Sequence, residues 1–199
     1  MIFLFIDLLG IFAFALTGAV KAANKGLDWF GAIALACATG VCGGIMRDLL
    51  LGNTPPLALK EPTYILVCIF ASIVVIVAQK KVVRRWIFVQ IADAIGLGFF
   101  AAAGAIQAQD AGAGGIAIVF VAVVTAVGGG MLRDILAGEI PQVLTGEIYA
   151  TAALVGGLFF WIFGLCTSEF QGAKVAGTVA ITIILRLYAM YAKLTLPRT

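Results

Sequence analysis

Apolar residues run along this chain in long blocks, and polar residues gather in the short breaks between them. A helix needs about 20 apolar residues to cross a bilayer. Seven segments are of that order: roughly 2–22, 29–51, 62–79, 86–108, 113–137, 147–166 and 173–194. The breaks "KAANKGLD", "GNTPPLALKEP", "QKKVVRR", "QAQDAGAGG", "GEIPQVLTGE" and "TSEFQG" are polar or rich in the turn residues glycine and proline. No long polar tract remains for a soluble domain. The pattern predicts an all-α integral membrane protein of seven transmembrane helices.

The polar positions inside the blocks recur. "GGIMRDLLLGNTPP" occupies residues 43–56 and "GGGMLRDILAGEIP" occupies 128–141. Arg47 and Arg133 are 86 residues apart, and the same offset relates Asp7 to Asp93, Gly10 to Gly96, Phe14 to Phe100 and Gly18 to Gly104. It continues through Gly26 and Gly112, Thr39 and Thr125, Asp48 and Asp134, Gly52 and Gly138, Pro55 and Pro141, and Glu61 and Glu147. A register held this long without a gap marks a duplication. The single membrane domain, 1–199, divides into repeat 1 (1–81), repeat 2 (87–167) and an extra helix (172–194). Three spans per repeat is an odd number, so the second copy enters from the opposite face. That is a 3+3 inverted repeat plus one helix, an architecture common among transport proteins.

Charge gives the orientation independently. Lys and Arg concentrate on the cytoplasmic side. Lys80, Lys81, Arg84 and Arg85 lie in one break, and alternation puts Lys21, Lys25, Arg133, Lys193 and Arg198 on the same face. Arg47, Lys60 and Lys174 fall outside. The N-terminus is therefore expected outside and the C-terminus inside, in a cell (inner) membrane. The chain begins directly on an apolar run interrupted by Asp7, which reads as the first span rather than a cleaved leader.

Composition narrows the function. Of 199 residues, 63% are hydrophobic and 12% charged, against about 45–50% and 25% in soluble domains. The net charge of +3 comes with no basic block, so no nucleic-acid partner is implied. There is no histidine, which removes the commonest metal ligand and general base. Cys37, Cys42, Cys68 and Cys166 sit in apolar runs and read as small hydrophobes. No metal, cofactor or enzymatic chemistry is indicated.

The candidate functional residues lie in the repeated phrase. Gly43, Gly44, Gly128, Gly129 and Gly130 each cost about 1 kcal/mol relative to Ala inside a helix. Close helix packing in lipid accounts for them, and so does a kink whose freed carbonyls line a path. Thr39 and Thr125, one turn earlier, either face such a path or bond back to their own helices. Ionisable residues in a span are functional by default and usually paired. Position along the helices pairs Asp7 with Arg47 and Asp93 with Arg133. Asp48 and Asp134 are rival partners, disfavoured because neighbouring side chains diverge on a helix. Arg186 lies mid-way along the last span and has no repeat mate.

Seven spans built as 3+3+1, an external N-terminus and paired G-G-x-x-R-D phrases resemble the trimeric intracellular cation (TRIC) channels, the bacterial and archaeal branch in particular. The resemblance covers nearly the whole chain. It implies a homotrimer with one hourglass pore per subunit between kinked spans two and five, and K⁺ and Na⁺ as permeant ions. Animal members carry a Lys-Glu-Val phrase there and bind an inositol lipid; "VGGGMLRD" keeps only Arg133 of that basic character. Bacterial relatives also suggest an alternative, a facilitator of a small zwitterion such as glycine. Arg would then bind its carboxylate and Asp its amine.

Overall fold

The computed structural model describes residues 2–78, 86–145, 148–166 and 170–195. Lys80, Lys81, Arg84, Arg85, Glu147 and Arg198 lie outside the described residues. The elements among the described residues are helices: α1 (Ile2–Asn24), α2 (Trp29–Leu50), a short α3 (Leu57–Lys60), α4 (Pro62–Ala78), α5 (Trp86–Asp110), α6 (Gly115–Leu136), α7 (Ala150–Cys166) and α8 (Gln171–Tyr191), with a 3-10 turn at Gln142–Leu144. α1, α2, α5, α6 and α8 are long and apolar enough to cross a membrane. α4 and α7 are apolar and 17 residues long, about 26 Å at 1.5 Å per residue, slightly less than the roughly 30 Å of a bilayer core.

Each helix starts and stops for local reasons. Asp28 caps α2 by accepting from the Gly31 amide at 2.7 Å, which satisfies an orphan donor of the first turn. α2 and α6 end in the same glycine turn. Gly52 (φ 75°) and Gly138 (φ 72°) take the left-handed conformation, and the next amide reaches back to the Asp48 and Asp134 carbonyls at 2.8 and 2.9 Å.

α1, α2 and α4 form one packed unit, and α5, α6 and α7 form another. Contacts between the units are reciprocal. A Cβ on Gly10 would strike the Phe100 ring at 2.8 Å, and one on Gly96 would strike Phe14 at 2.4 Å. The two rings meet edge to face, with centroids 5.2 Å apart. Gly43 abuts the Thr125 carbonyl, and Gly129 abuts the Thr39 carbonyl. As numbering rises along α2 it falls along α6, so the two helices cross antiparallel. α8 packs on α5 and α7 and has no counterpart on the first unit.

Beyond Gly52 the repeat register slips by one. Pro56 caps α3, and Pro141 caps the 3-10 turn, so the partner of Pro141 is Pro56 rather than Pro55. The first unit carries one more residue in this loop.

Candidate functional site

Two charged nodes sit at opposite ends of the α2–α6 crossing. The glycine contacts centre the crossing on residues 41 and 127. Arg47 and Arg133 each lie six residues beyond it, which separates them by roughly 18 Å at 1.5 Å per residue.

At the first node, Arg47 Nη1 donates to Asp7 Oδ1 at 2.8 Å and Nε donates to Asp48 Oδ1 at 2.9 Å. Asp48 Oδ2 accepts from the Leu57 amide at 2.8 Å, which pins α3 under the node. Tyr64 donates to Asp7 Oδ2 at 3.1 Å, and the Phe3 ring lies 5.0 Å from the guanidinium. Asp7, Arg47 and Asp48 are buried.

The second node repeats the frame. Arg133 Nη1 donates to Asp93 Oδ1 at 2.6 Å, and Nε donates to Asp134 Oδ1 at 3.0 Å. Asp134 Oδ2 accepts from the Gln142 amide at 3.2 Å. Arg133 Nη1 also donates to Thr17 Oγ1 at 2.9 Å, across the boundary between the two units. Lys21 is buried beside the node, 3.5 Å from Asp134 and in contact with Glu139. Lys25 reaches Glu139 at 2.8 Å. The two ammonium groups, Lys21 first, hold the Glu139 carboxyl below the usual carboxylate range.

Asp48 and Asp134 are full members of these nodes, although the sequence reasoning disfavours them. Adjacent Cβ vectors do diverge, but the long Arg side chain curls back and brings Nε to its neighbour's carboxylate. Each Arg thus ties a distant helix to the Asp that holds the segment after its own helix.

Gly43 and Gly129 serve close packing. α2 and α6 are helical throughout, across Gly43–Gly44 and Gly128–Gly130. A Cβ on Gly43 or Gly129 would lie 2.2 Å from a carbonyl oxygen of the facing helix. Gly128 faces Met46 Sδ, Gly130 faces the Tyr149 hydroxyl, and Gly44 has room. Thr39 and Thr125 donate to the Leu35 and Val121 carbonyls of their own helices at 2.6 Å, so the self-bonded alternative describes both hydroxyls.

Arg186 is buried instead of reaching for headgroups. It donates to the Ile148 carbonyl at 3.3 Å and to Gln142 Oε1 at 3.2 Å, and it stacks 4.9 Å from the Tyr149 ring. α8 thereby adds a further cation beside the second node alone.

A family model described as "Glycine transporter" matches residues 4–80 and again 90–164. The inner membrane protein YadS of Escherichia coli K12 is 36% identical over 99% of this chain and 96% of its own length. A solved structure reported as the basis for conductance through TRIC cation channels is 40% identical, with TM-score 0.89 over 100% of this chain and 98% of that one. The TRIC orthologue of Rhodobacter sphaeroides is 35% identical, with TM-score 0.92 over 97% and 99%. The chain belongs to the prokaryotic TRIC channel family. TRIC proteins are membrane channels and not enzymes.

The TRIC nodes also contain residues that sequence reasoning missed. Tyr64 and Tyr149 sit at equivalent places, but 85 residues apart, so the 86-residue register hides them. Lys21 reads as a loop cation, yet it is buried; Lys174, a member of neither node, is buried as well, donates to Gln109 Oε1 at 2.7 Å and lies 4.9 Å from the Phe160 ring. Nothing in the local pattern around Thr17 announces its bond to Arg133, which exists only because the two units pack.

Proposed function

We propose that this chain is a monovalent cation channel for K⁺ and Na⁺, with a path between α2 and α6 in each subunit of a homotrimer. Its seven apolar helices cross the inner membrane as a 3+3 inverted repeat, residues 1–81 and 87–167, with α8 added. The N-terminus is outside and the C-terminus cytoplasmic. Reciprocal contacts between antiparallel helices support the inverted arrangement, and so does a family model that matches twice at nearly the repeat spacing.

The observation that carries the reading is a pair of buried nodes, one at each end of a glycine crossing. At each node two carboxylates face one guanidinium. The first node is thereby net acidic, whereas Lys21 and Arg186 offset the carboxylates of the second. Between them, Gly43 and Gly129 press backbone against backbone, which closes the waist in this conformation. Conduction requires α2 and α6 to part there, and small residues leave little side chain in the way. Asp7, Asp93 and Arg186 set the electrostatics of the mouths.

Purified protein in planar bilayers under K⁺, Na⁺ and Cl⁻ gradients tests this. Discrete current steps with a cation reversal potential are expected. Anion selectivity, or no current, rejects it. The description of the matched family model favours a second reading, a glycine facilitator. Saturable uptake of labelled glycine without current steps would select it.

A further inference from the structure

The two nodes share a frame and differ in what ties the units together there. At the first node the bonds stay within one unit: Arg47 to Asp7 and Asp48, Tyr64 to Asp7, and the Leu57 amide to Asp48. At the second node α1 reaches over from the other unit. Thr17, Lys21 and Lys25 recur every four residues, so they form one stripe along α1. Thr17 Oγ1 accepts from Arg133 Nη1 at 2.9 Å. Lys21 lies 3.5 Å from Asp134 and meets one oxygen of Glu139. Lys25 reaches the other oxygen of Glu139 at 2.8 Å. Among the described residues, the side-chain hydrogen bonds and ion pairs between the units gather at this end. The repeat register puts Ala103, Gln107, Ala111 and Asn53 where Thr17, Lys21, Lys25 and Glu139 would recur. None of those four carries a charge, so the sequence writes this arrangement once.

We propose that this stripe is a latch that holds the second mouth shut, with Glu139 as its catch. The inference rests on the channel reading, in which α2 and α6 part for conduction. α1 packs with α2, whereas Glu139 follows α6, so parting the two helices pulls on every tie of the stripe. The ties are graded. The Lys25 and Glu139 side chains are 39% and 41% exposed, so water and salt readily take over their pairing. Lys21 is buried and lines a small polar cavity with Gln90, Asp93, Arg133 and Gln142. While Glu139 and Asp134 hold it there, its ammonium repels a cation approaching the second node. Thr17 is the deepest of the three, and its bond to Arg133 lies among buried groups. Release therefore runs inward: Glu139 lets go of Lys25, Lys21 follows, and Thr17 is last. Gating becomes one-sided, because the first mouth has no such catch to release.

Planar-bilayer recording of the full chain, in a background free of native cysteine, tests the latch. Glu139→Gln and Lys25→Gln should each raise the fraction of time spent open several-fold, while Asn53→Asp at the counterpart position leaves it unchanged. Lys25→Cys with Glu139→Cys, bridged by a bifunctional methanethiosulfonate, should fall silent and conduct again once reductant cleaves the bridge. Unchanged opening in both glutamine variants, an equal rise in Asn53→Asp, or full current through the bridged pair overturns the proposal. Thiol labelling gives a readout independent of current. In Gln90→Cys, the cavity-lining thiol should react several-fold faster with an impermeant cationic reagent when Glu139→Gln is added, and an equal rate also overturns the latch. Faster labelling in a chain that passes no current removes the channel and leaves the latch, whereas current with equal labelling rates removes the latch and leaves the channel.

Discussion

Gly43 and Gly44 are neighbours in sequence, and the structure assigns them opposite responses to alanine. At Gly43 the new Cβ would lie 2.2 Å from the Thr125 carbonyl oxygen. Ordinary contact is above about 3.4 Å, so α2 and α6 must separate by more than about 1 Å. The opposing atom is helix backbone and cannot rotate aside. Overpacking of this kind costs about 1–3 kcal/mol, and alanine's helix propensity returns about 1 kcal/mol. The net loss is about 0–2 kcal/mol, toward the upper end because the clash is with backbone. At Gly44 the Cβ would meet only Arg47 Nη2, at 3.6 Å. There alanine keeps the propensity gain and stabilises by up to about 1 kcal/mol. Thermal unfolding of the purified protein in detergent, scored by loss of the native size-exclusion peak, compares the two. Gly43→Ala melts below wild type and Gly44→Ala at or above it. The reverse order would refute the assignment of Gly43 to backbone packing.

Asp7→Asn and Asp93→Asn leave Arg47 and Arg133 short of counter-charge, and breaking a buried pair costs about 3–5 kcal/mol; a double-mutant cycle with Arg47 that returns no coupling would sink the first pairing. Single cysteines at Asn53 and Glu139, in a background free of native cysteine, label from opposite faces with an impermeant thiol reagent, and labelling of both from one face rejects the inverted repeat. The carboxyl of Glu139 is held low in the folded chain by Lys21 and Lys25, so its contribution is complete above the unfolded carboxylate range and fades as pH falls through the depressed value. Glu139→Gln should therefore lower the melting temperature at neutral pH and do progressively less in acid; an equal effect at both pH values removes the ion pairs from the account.

Counting along the chain reaches far here because the two halves share one sequence register. Asp7 to Arg47 and Asp93 to Arg133 are both 40 residues, and both pairs close in space. Counting fails where a long side chain bends. The bonds from Arg47 to Asp48 and from Arg133 to Asp134 depend on Nε reaching back, which a rule about Cβ directions does not register. It fails again past Gly52, where one extra loop residue shifts Tyr64 and Tyr149 off the register. The glycines were legible as places of close approach, but their different duties were not. Gly43 faces a carbonyl of the opposite helix, whereas Gly44 meets only the Arg47 guanidinium at ordinary contact, and the facing helix alone distinguishes them.

The reciprocal contacts between the units have a consequence for how such a molecule can change. If the units were separate identical chains, any substitution at a node would appear at both ends of the crossing, and its cost would be doubled. Joined in one polypeptide, the ends can diverge singly. Phe3 remains to cover Arg47 while Val89 stands at the matching place beside Arg133. Leu57 supplies only its backbone to one node, whereas Gln142 brings its side chain to the other. Covalent fusion therefore lets a scaffold with two matching ends acquire a front and a back.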